Sequence, residues 1–337
     1  MKSSLPTVSV VIPTLNAAVV LESCLEAIAS QDYPKDAIEI IIADGGSTDA
    51  TLTIAELYNC IVVENLLVTA ESGKAVGVKA AKNEIVALID SDNIIIEPDW
   101  IQRMVAPFSD PKIIGTEPLY ITYRKEDEYL IRYSSLMGMG DPLCLFLGNY
   151  DRHCYITNRW TDLPVKVEDR PDFLLIHLTP NELPTIGANG TMLRRAVLMD
   201  MGIGDYLFDI DLIYELALKQ EVDFAKVKIG IVHLSSRTAS NFMKKQRRRI
   251  QDYSYYQKLG IRKYPWGAKK ERILYFVLCC GTVVPLVIQA ARGYSHKRDS
   301  SWLFHVPACW MTLFTYALGA IQSRSKTGIS DRSGWKQ

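Results

Sequence analysis

Short apolar runs alternate with segments of helical period along the first third of the chain. The runs are rich in β-branched residues and are bounded by polar residues, as in strands that are buried on both faces of a sheet. This alternation predicts an α/β fold in which helices cover both faces of a parallel sheet. The apolar runs cover residues 8–12, 38–43, 61–63 and 85–89, and the helical segments cover about residues 17–31, 50–58 and 74–81.

Composition and the absence of certain motifs argue against several classes of protein. The 337 residues carry a formal net charge of zero, so no overall charge favours binding to nucleic acid. The seven cysteines show no paired spacing, which is typical of a reduced protein and not of a disulfide framework or a zinc site. No Gly-x-Gly-x-x-Gly motif follows the first strand, which argues against a dinucleotide cofactor. The N-terminus has no apolar signal-peptide core, so we expect the main domain in the cytoplasm.

Two aspartates stand directly after the fourth predicted strand. If the backbone is still extended at Asp90 and Asp92, both side chains point the same way at the carboxyl edge of the sheet, where open α/β folds bind ligands. Paired carboxylates repel unless a cation lies between them, and a divalent metal that carries a diphosphate meets that need. Alternatively, one aspartate caps the helix that follows and the other is a solvated turn residue.

The order and spacing of three motifs resemble family 2 inverting glycosyltransferases of the GT-A fold, over about residues 6–240. The motifs are residues 8–16, the turn of residues 44–51 and residues 88–100. The resemblance implies a GT-A fold with a mostly parallel central sheet, a nucleotide-sugar donor and a divalent metal, Mn²⁺ or Mg²⁺. The residues that it implies for donor binding are Pro13, Thr14, Asn16, Asp44, Lys74, Asp90, Ser91 and Asp92.

The resemblance also implies separate roles within that set. The segment of residues 13–16 lines the nucleotide, Asp44 hydrogen-bonds the base, and Asp90 and Asp92 face the sugar diphosphate, with Asp92 on the metal. A carboxylate can accept a hydrogen bond from a ring N–H, and the glycines after Asp44 let a ligand approach the backbone. An Asx turn or a helix cap is the structural alternative for Asp44.

The helix before the Asp-x-Asp strand keeps part of the family pattern. Relatives often have a basic residue followed by Asn-x-Gly. Here Lys74 and Gly77 are present and the asparagine is absent. We therefore expect a diphosphate contact from Lys74 and none of the contact usually made by the asparagine.

Asp209 occupies the position of the catalytic base in the resemblance. Many relatives read Glu-Asp-x-Asp-Leu there; Asp211 matches the second acid, and Phe208 replaces the glutamate. An inverting displacement needs one carboxylate to take the proton of the acceptor hydroxyl. Phe208 would raise the pKa of Asp209 by desolvation if both are buried. The alternative is that Asp209 caps the amphipathic helix that follows it.

Further contacts are implied outside these motifs. Asn189 lies in a loop that resembles the loop under the family's acceptor site, and His233 ends the last predicted strand, where relatives often have histidine. Gln246 and Arg249 match part of the Gln-x-x-Arg-Trp motif of related processive synthases. The resemblance thus implies an additional metal contact for His233 and acceptor or diphosphate contacts for Asn189, Asp211 and Arg249. A local hydrogen bond is the alternative for His233, and binding of phosphate or lipid headgroups is the alternative for the basic cluster around Arg249.

The character of the chain changes after His233. Residues 236–273 contain twelve Lys/Arg and two Asp/Glu, with tyrosine and tryptophan interleaved. Two uncharged runs, about residues 273–291 and 302–321, are each near the minimum length for crossing a bilayer. They predict a two-helix transmembrane hairpin, with the basic segment against anionic headgroups and both chain ends in the cytoplasm. A re-entrant or interfacial hairpin that never crosses is the alternative.

These patterns also predict the domain organisation. The irregular insertion of about residues 124–185 shows little periodicity, and we expect it to contribute to acceptor recognition. The predicted parts are a GT-A domain (1–235, with a nucleotide-sugar half of about 1–115 and an acceptor half of about 116–235), a juxtamembrane segment (236–272), the hairpin (273–322) and a cytoplasmic tail (323–337).

The predicted function is a membrane-anchored, metal-dependent inverting glycosyltransferase. It would move a sugar from a nucleoside diphosphate, UDP or GDP, to a lipid-linked glycan in cell-surface polysaccharide or glycoprotein glycan assembly. A polyprenyl-phosphate monosaccharide synthase is an alternative, although such enzymes usually follow Asp-x-Asp with Pro-Pro-Glu, which is absent here. A non-catalytic membrane scaffold that binds nucleotide sugars is a further alternative, suggested by the missing asparagine and glutamate. The sequence leaves the oligomeric state open.

Overall fold

Two compact units make up the part of the chain that the computed structural model describes, residues 5–266 and 269–323. The first unit comprises residues 5–119 and 165–233. The second comprises residues 120–164 and the described residues from 234 to 323.

A ten-stranded sheet forms the centre of the first unit. Its strands are β1 (Val8–Thr14), β2 (Ile38–Asp44), β3 (Ile61–Glu64), β4 (Ile85–Leu88), β5 (Asn93–Ile94), β6 (Ile113–Ile121), β7 (Lys166–Asp169), β8 (Phe173–Leu178), β9 (Thr191–Arg194) and β10 (Val222–His233). Their order is β3-β2-β1-β4-β9-β6-β10-β8-β7, and β5 pairs with β10 outside this order.

The sheet is mixed. β1 pairs parallel with β2 and β4, and β2 pairs parallel with β3. Antiparallel pairs join β9 to β4 and β6, and β10 to β5 and β8. The predicted α/β class is confirmed. The parallel strands are the four whose apolar runs the sequence shows most clearly.

Helices flank the strands in sequence, and the remaining helices build the second unit. α1, α2, α3, α4, α7 and α8 belong to the first unit, and α5, α6 and α9–α12 belong to the second. Their bounds are α1 (Ala18–Ala29), α2 (Thr51–Leu57), α3 (Ala70–Ala80), α4 (Trp100–Val105), α5 (Tyr129–Met137), α6 (Leu143–Leu147), α7 (Arg195–Asp200), α8 (Asp209–Lys219), α9 (Ala239–Lys258), α10 (Lys270–Thr282), α11 (Val284–His296) and α12 (His305–Ser323).

Two glycines bring α3 close to β1. A Cβ atom at Gly73 would lie 2.7 Å from Pro13 Cβ, and one at Gly77 would overlap the side chain of Val11. Such an approach is open only to residues without a side chain. Because Pro13 lies near the carboxyl end of β1, this packing places Lys74 near that edge of the sheet.

The insertion of residues 124–185, which we expected to be irregular, is largely structured. Its first part contains α5 and α6 and belongs to the second unit, and its last part contains β7 and β8 of the sheet. Aromatic side chains join α5 and α6 to the C-terminal helices: Tyr133 lies 5.4 Å from Phe304, and Phe146 lies 4.8 Å from Phe276 between ring centroids. The first part of the insertion and the C-terminal helices therefore share one hydrophobic core.

Within the described residues, one helix is long and apolar enough to cross a membrane, Ser300–Gln322. The other predicted span, residues 273–291, is not a single helix. It is divided between α10 and α11, which meet at 91°. Val283 at the break has φ +63°, and Pro285 in the first turn of α11 has no N–H to donate, which accounts for the interruption. Two spans are present only if the bent pair counts as one, so the re-entrant alternative stays open.

Candidate functional site

Asp44 closes a turn at the carboxyl end of β2. Its Oδ1 accepts hydrogen bonds from the hydroxyls of Thr14 (2.9 Å) and Ser47 (2.5 Å). Its Oδ2 accepts from the backbone N–H groups of Gly46 (2.9 Å) and Ser47 (2.8 Å). This is the Asx turn that the sequence left as an alternative. A contact of Asp44 with a nucleotide base stays a prediction.

Asn16 offers an unpaired donor beside that turn. Its backbone is in the left-handed region, with φ +51°, and its Oδ1 accepts from the N–H of Thr48 (2.8 Å). Its Nδ2 is buried and has no hydrogen-bond partner among the residues that the structure describes. A buried donor of this kind is costly unless a ligand or water accepts from it, which fits the predicted place of Asn16 on the nucleotide.

The Asp-x-Asp segment turns instead of continuing the strand. β4 ends at Leu88, and the N–H of Asn93 donates to the carbonyl of Asp90 (2.9 Å). The side chain of Asn93 accepts in return from the N–H of Asp90 (3.0 Å). The backbone is therefore not extended at Asp90 and Asp92, as the argument for two parallel side chains required, because Asn93 closes a turn around them.

Asp92 lies beside His233. The pairing of β5 with β10 sets Asn93 opposite His233, and Asp92 Oδ2 lies 3.5 Å from His233 Nε2. Each side chain is about one-fifth exposed (22% and 21%), and Ser91 before Asp92 is half-buried. A carboxylate oxygen and an imidazole nitrogen that converge at an accessible point fit a divalent cation. Among residues 5–266 and 269–323, no group of three His, Cys, Asp or Glu side chains converges on a metal position, so phosphate oxygens would complete such a site.

Lys74 and Asp209 form a buried ion pair. Lys74 Nζ donates to Asp209 Oδ2, and the side chains are 8% and 10% exposed. Burial alone lowers the pKa of Lys74, but the charges of Asp209 and Asp90 together raise it above its usual range. Burial raises the pKa of Asp209, and the ammonium group of Lys74 opposes this rise. The predicted diphosphate-binding lysine and the predicted base are thus direct neighbours.

Asp209 is the first residue of α8 and does not cap it. The cap position is Phe208, and no side chain there accepts from the helix N–H groups. The predicted burial of Asp209 and Phe208 is found in part. The side chain of Asp209 is 10% exposed, and Phe208 is partly buried and stacks on Tyr206 at 6.4 Å. Asp209 Oδ1 is buried and has no hydrogen-bond partner in the described part of the chain. One oxygen of this carboxylate is therefore bonded to Lys74, and the other is unengaged.

A strained turn lies against Asp209. Residues 187–190 have φ values of +141°, +55°, +45° and +87°, and a Cβ atom at Gly187 would lie 3.1 Å from Asp209 Oδ2 and nearer still to its Cβ. Within the turn, Asn189 Oδ1 accepts from Asn93 Nδ2 (3.0 Å). The turn therefore links Asp209 to the Asp-x-Asp segment.

Sequence reasoning missed the pair that supports this turn, Glu117 and Lys226. Both side chains are fully buried, and Lys226 Nζ lies 2.6 Å from Glu117 Oε2. Glu117 Oε1 accepts from the N–H of Gly187 (3.0 Å) and the hydroxyl of Thr191 (3.1 Å). Charged residues inside the apolar strands β6 and β10 were the available signal, since a buried charge needs a partner.

The structure brings most of the predicted residues to one edge of the sheet. Asp211 is buried in the first turn of α8. Arg249 belongs to the second unit, where its Nη1 donates to the carbonyl of Gly140 (2.7 Å) and to Gln246 Oε1 (3.1 Å). The predicted site residues in the first unit are Pro13, Thr14, Asn16, Asp44, Lys74, Asp90, Ser91, Asp92, Asn189, Asp209, Asp211 and His233.

Two relatives with known names match part of the chain. The chain is 33% identical over 147 residues to the glycosyltransferase AglE of Haloferax volcanii, a match that covers 41% of this chain and 48% of AglE. It is 35% identical over 107 residues to a PGL/p-HBAD biosynthesis glycosyltransferase of Mycobacterium tuberculosis, covering 30% of this chain and 41% of that protein. The chain thus spans less than half the length of either relative.

A solved structure and a family model cover more of the chain. The mannosyltransferase PcManGT of Pyrobaculum calidifontis, solved with GDP-Man and Mn²⁺, superposes with a TM-score of 0.53 over 94% of this chain and 88% of that chain, at 16% identity. This likeness shows the fold. The model described as "Glycosyl transferase family 2" matches residues 9–202, more than half of the chain. The chain therefore belongs to glycosyl transferase family 2, as its motifs predicted.

Proposed function

We propose that this protein transfers a sugar, with inversion, from a nucleoside-diphosphate sugar to a lipid-linked glycan acceptor at the cytoplasmic face of a membrane. The observation that carries the proposal is the position of Asp209. It is a buried carboxylate with one unengaged oxygen, linked through the turn of residues 187–190 to the Asp-x-Asp segment. An inverting transfer needs one base beside the acceptor hydroxyl, and we assign that role to Asp209.

We place the binding site for the nucleotide-sugar donor at the carboxyl edge of the parallel strands. Asn16 has a spare buried donor, and Lys74 supplies a positive charge beside Asp90. Asp92 and His233 would hold a divalent cation, Mn²⁺ or Mg²⁺, with Asp90 nearby. When bound, that cation neutralises the charge that develops on the departing diphosphate. PcManGT, which shares the fold, was solved with GDP-Man and Mn²⁺, which supports a nucleoside-diphosphate sugar as the donor here.

Asp209 acts as the general base. Its unengaged Oδ1 accepts the proton of the acceptor hydroxyl, while the hydroxyl oxygen attacks the anomeric carbon opposite the leaving group. The turn of residues 187–190 holds Asp209 in place, and Asn189 and Asp211 are proposed to contact the acceptor or the diphosphate. One-step displacement at this carbon inverts its configuration.

The acceptor is proposed to be membrane-bound. The helix Ser300–Gln322 is apolar enough to cross a bilayer, and α9 carries a run of basic residues that suits anionic headgroups or a lipid phosphate. Arg249 belongs to this run. The juxtamembrane segment predicted at residues 236–272 is kept as part of this proposal.

Nucleoside diphosphate release by the detergent-purified full chain tests the proposal. The assay pairs a panel of UDP- and GDP-sugars with Mn²⁺ or Mg²⁺ and a lipid extract, and compares the wild type with Asp209→Asn and Asp92→Asn. We expect turnover of one donor only when lipid is present, and a loss of at least about 100-fold in each variant. Nucleotide binding without turnover on any lipid would instead favour a non-catalytic scaffold. A polyprenyl phosphate sugar as the product would place the protein among the monosaccharide synthases.

A further inference from the structure

Two carboxylates act on the ammonium group of Lys74. Its Nζ donates to Asp209 Oδ2, and the charge of Asp90 acts on it as well. Asp90 belongs to the segment that, in the proposed function, faces the diphosphate. A diphosphate bound there would therefore compete with Asp209 for the same ammonium group, since phosphate oxygens and carboxylate oxygens are equivalent partners for it.

Only the side chain of Lys74 is free to change partner. The backbone of α3 is held against β1 by the close packing of Gly73 on Pro13 and of Gly77 on Val11. The start of the helix is fixed by a capping box in which Thr69 and Ser72 each accept from the other's backbone N–H. A change of partner is therefore a rotation about the lysine side-chain bonds and needs no movement of the helix.

We propose that Lys74 is a donor-sensitive clamp on Asp209. The ammonium group holds the carboxylate until the diphosphate of the donor draws it away, and Asp209 is then free to serve as base. The proton of the acceptor hydroxyl passes to Asp209 as the new C–O bond forms and the bond between the anomeric carbon and the phosphate oxygen breaks. The inference rests on the proposed function and adds to it an order of events, with the donor bound before the base is released.

The clamp has a consequence that can be measured without catalysis. If Asp209 and the diphosphate compete for Lys74, removing the charge of Asp209 strengthens diphosphate binding, because linkage between the two partners is reciprocal. A purely structural role of Asp209 predicts the opposite, since loss of a buried ion pair loosens the site.

The experiment is isothermal titration of UDP and of GDP, with Mn²⁺, into the full chain in detergent. We expect Asp209→Asn to bind the preferred nucleoside diphosphate about tenfold more tightly than the wild type, as one charged hydrogen bond becomes available. Lys74→Met should bind it more weakly, and adding Asp209→Asn to Lys74→Met should give no further gain. Glu215→Gln removes a carboxylate further along α8 and should leave the affinity unchanged. Asp209→Ser is a second variant if Asp209→Asn fails to fold.

Two results would overturn the clamp. One is equal or weaker binding by both Asp209→Asn and Asp209→Ser, with circular dichroism spectra like the wild type. The other is the same gain in the Lys74→Met background, which would show a general charge effect. If the wild type binds neither UDP nor GDP, the proposed function itself fails, and this inference fails with it.

Discussion

At the scale of single residues, the site is defined by which charges are paired and which are not. Asp209 shares one oxygen with Lys74 and keeps the other unengaged, whereas Glu117 is fully bonded by Lys226, Gly187 and Thr191. A carboxylate that is saturated by the chain supports structure, and one with a spare oxygen is available for chemistry. We therefore propose different roles for the two acids, although both are paired with lysine.

The pH dependence of activity follows from the neighbours of Asp209. Its pKa is raised by burial, lowered by Lys74, and raised again by the charges of Asp90 and Glu71. As the proposed base, Asp209 works only when ionised, so we expect activity to be lost as the pH falls through the pKa of Asp209. Lys74→Met removes the positive charge and should shift this acid limb to higher pH, whereas Glu71→Gln should shift it to lower pH. The profile of kcat/KM against pH measures both shifts, and shifts of the same sign in the two variants would contradict this assignment.

The buried pair of Glu117 and Lys226 should matter for stability. Lys226→Met leaves the Glu117 carboxylate buried without its counter-ion, which we expect to cost about 3–5 kcal/mol of unfolding free energy. Lys228→Met is the matched control on the same strand, because Lys228 pairs with the exposed Asp169 and should change the stability by less than about 1 kcal/mol.

Urea unfolding followed by tryptophan fluorescence compares the two variants. Adding Glu117→Gln to Lys226→Met removes the uncompensated charge and should recover part of the loss. Equal urea midpoints for Lys226→Met and Lys228→Met would show that the buried pair contributes no more to stability than the exposed pair.

The sequence predicted the residues of the site better than their partners. Asp44, Asp92 and Asp209 could be found because each follows a recognisable strand or precedes a helix within a motif. The hydrogen bond between Lys74 and Asp209 could not be predicted, because the two residues are far apart in sequence and neither motif indicates contact with the other. The turn at Asp90 was missed for a local reason, since a single asparagine side chain closes it.

At the scale of elements, apolar pattern predicted the parallel half of the sheet closely. β1, β2, β3 and β4 lie where their apolar runs placed them. The central strands β1 and β4 are almost entirely buried and show a continuous apolar signal, whereas β3 at the edge of the sheet is mostly exposed. The insertion gave no such signal. Its helices α5 and α6 pack against α10 and α12, so the spacing of their apolar residues is explained only by contacts with helices that are distant in sequence. The pattern of apolar residues alone does not predict which elements pack together over long sequence distances.

The approach of α3 to β1 yields a prediction at this scale. Gly77→Ala places a methyl group on the side chain of Val11, so we expect it to lower the unfolding free energy by about 1–3 kcal/mol and to weaken diphosphate binding through Lys74. Gly281→Ala in α10 is the control, because a Cβ atom there meets nothing within 4 Å, and it should be neutral or slightly stabilising.

Thermal unfolding in detergent and titration of the nucleoside diphosphate give the two readouts for Gly77→Ala. The double variant Gly77→Ala/Val11→Ala makes room for the methyl group and should restore part of the affinity. No loss in Gly77→Ala would mean that α3 has more freedom over β1 than its glycines indicate.

At the scale of the whole molecule, the proposed membrane attachment depends on the C-terminal helices. The sequence predicted two membrane-spanning segments of similar length. In the structure one is a continuous apolar helix, and the other is a pair of helices that meet at 91°. Each limb of the bent pair has 13 residues, which spans about 20 Å as a helix, less than the hydrocarbon thickness of a bilayer. Basic residues stand at both ends of the pair. Lys269 precedes α10 and Lys270 and Arg272 lie in its first turn, whereas Arg292 lies near the end of α11 and Lys297 and Arg298 follow it.

The bent pair should therefore return to the face from which it enters. Cysteines introduced by Arg272→Cys and Arg298→Cys, in a Cys60→Ser background that removes the half-exposed native thiol, should both react with a membrane-impermeant maleimide from the cytoplasmic side only. The two-span hairpin predicts instead that Arg298→Cys reacts only from the opposite side, because the segment between the helices would have crossed. Labelling of intact cells compared with inverted vesicles separates the two topologies. If Arg298→Cys reacts only in intact cells, the re-entrant pair is excluded and the two-span hairpin is supported.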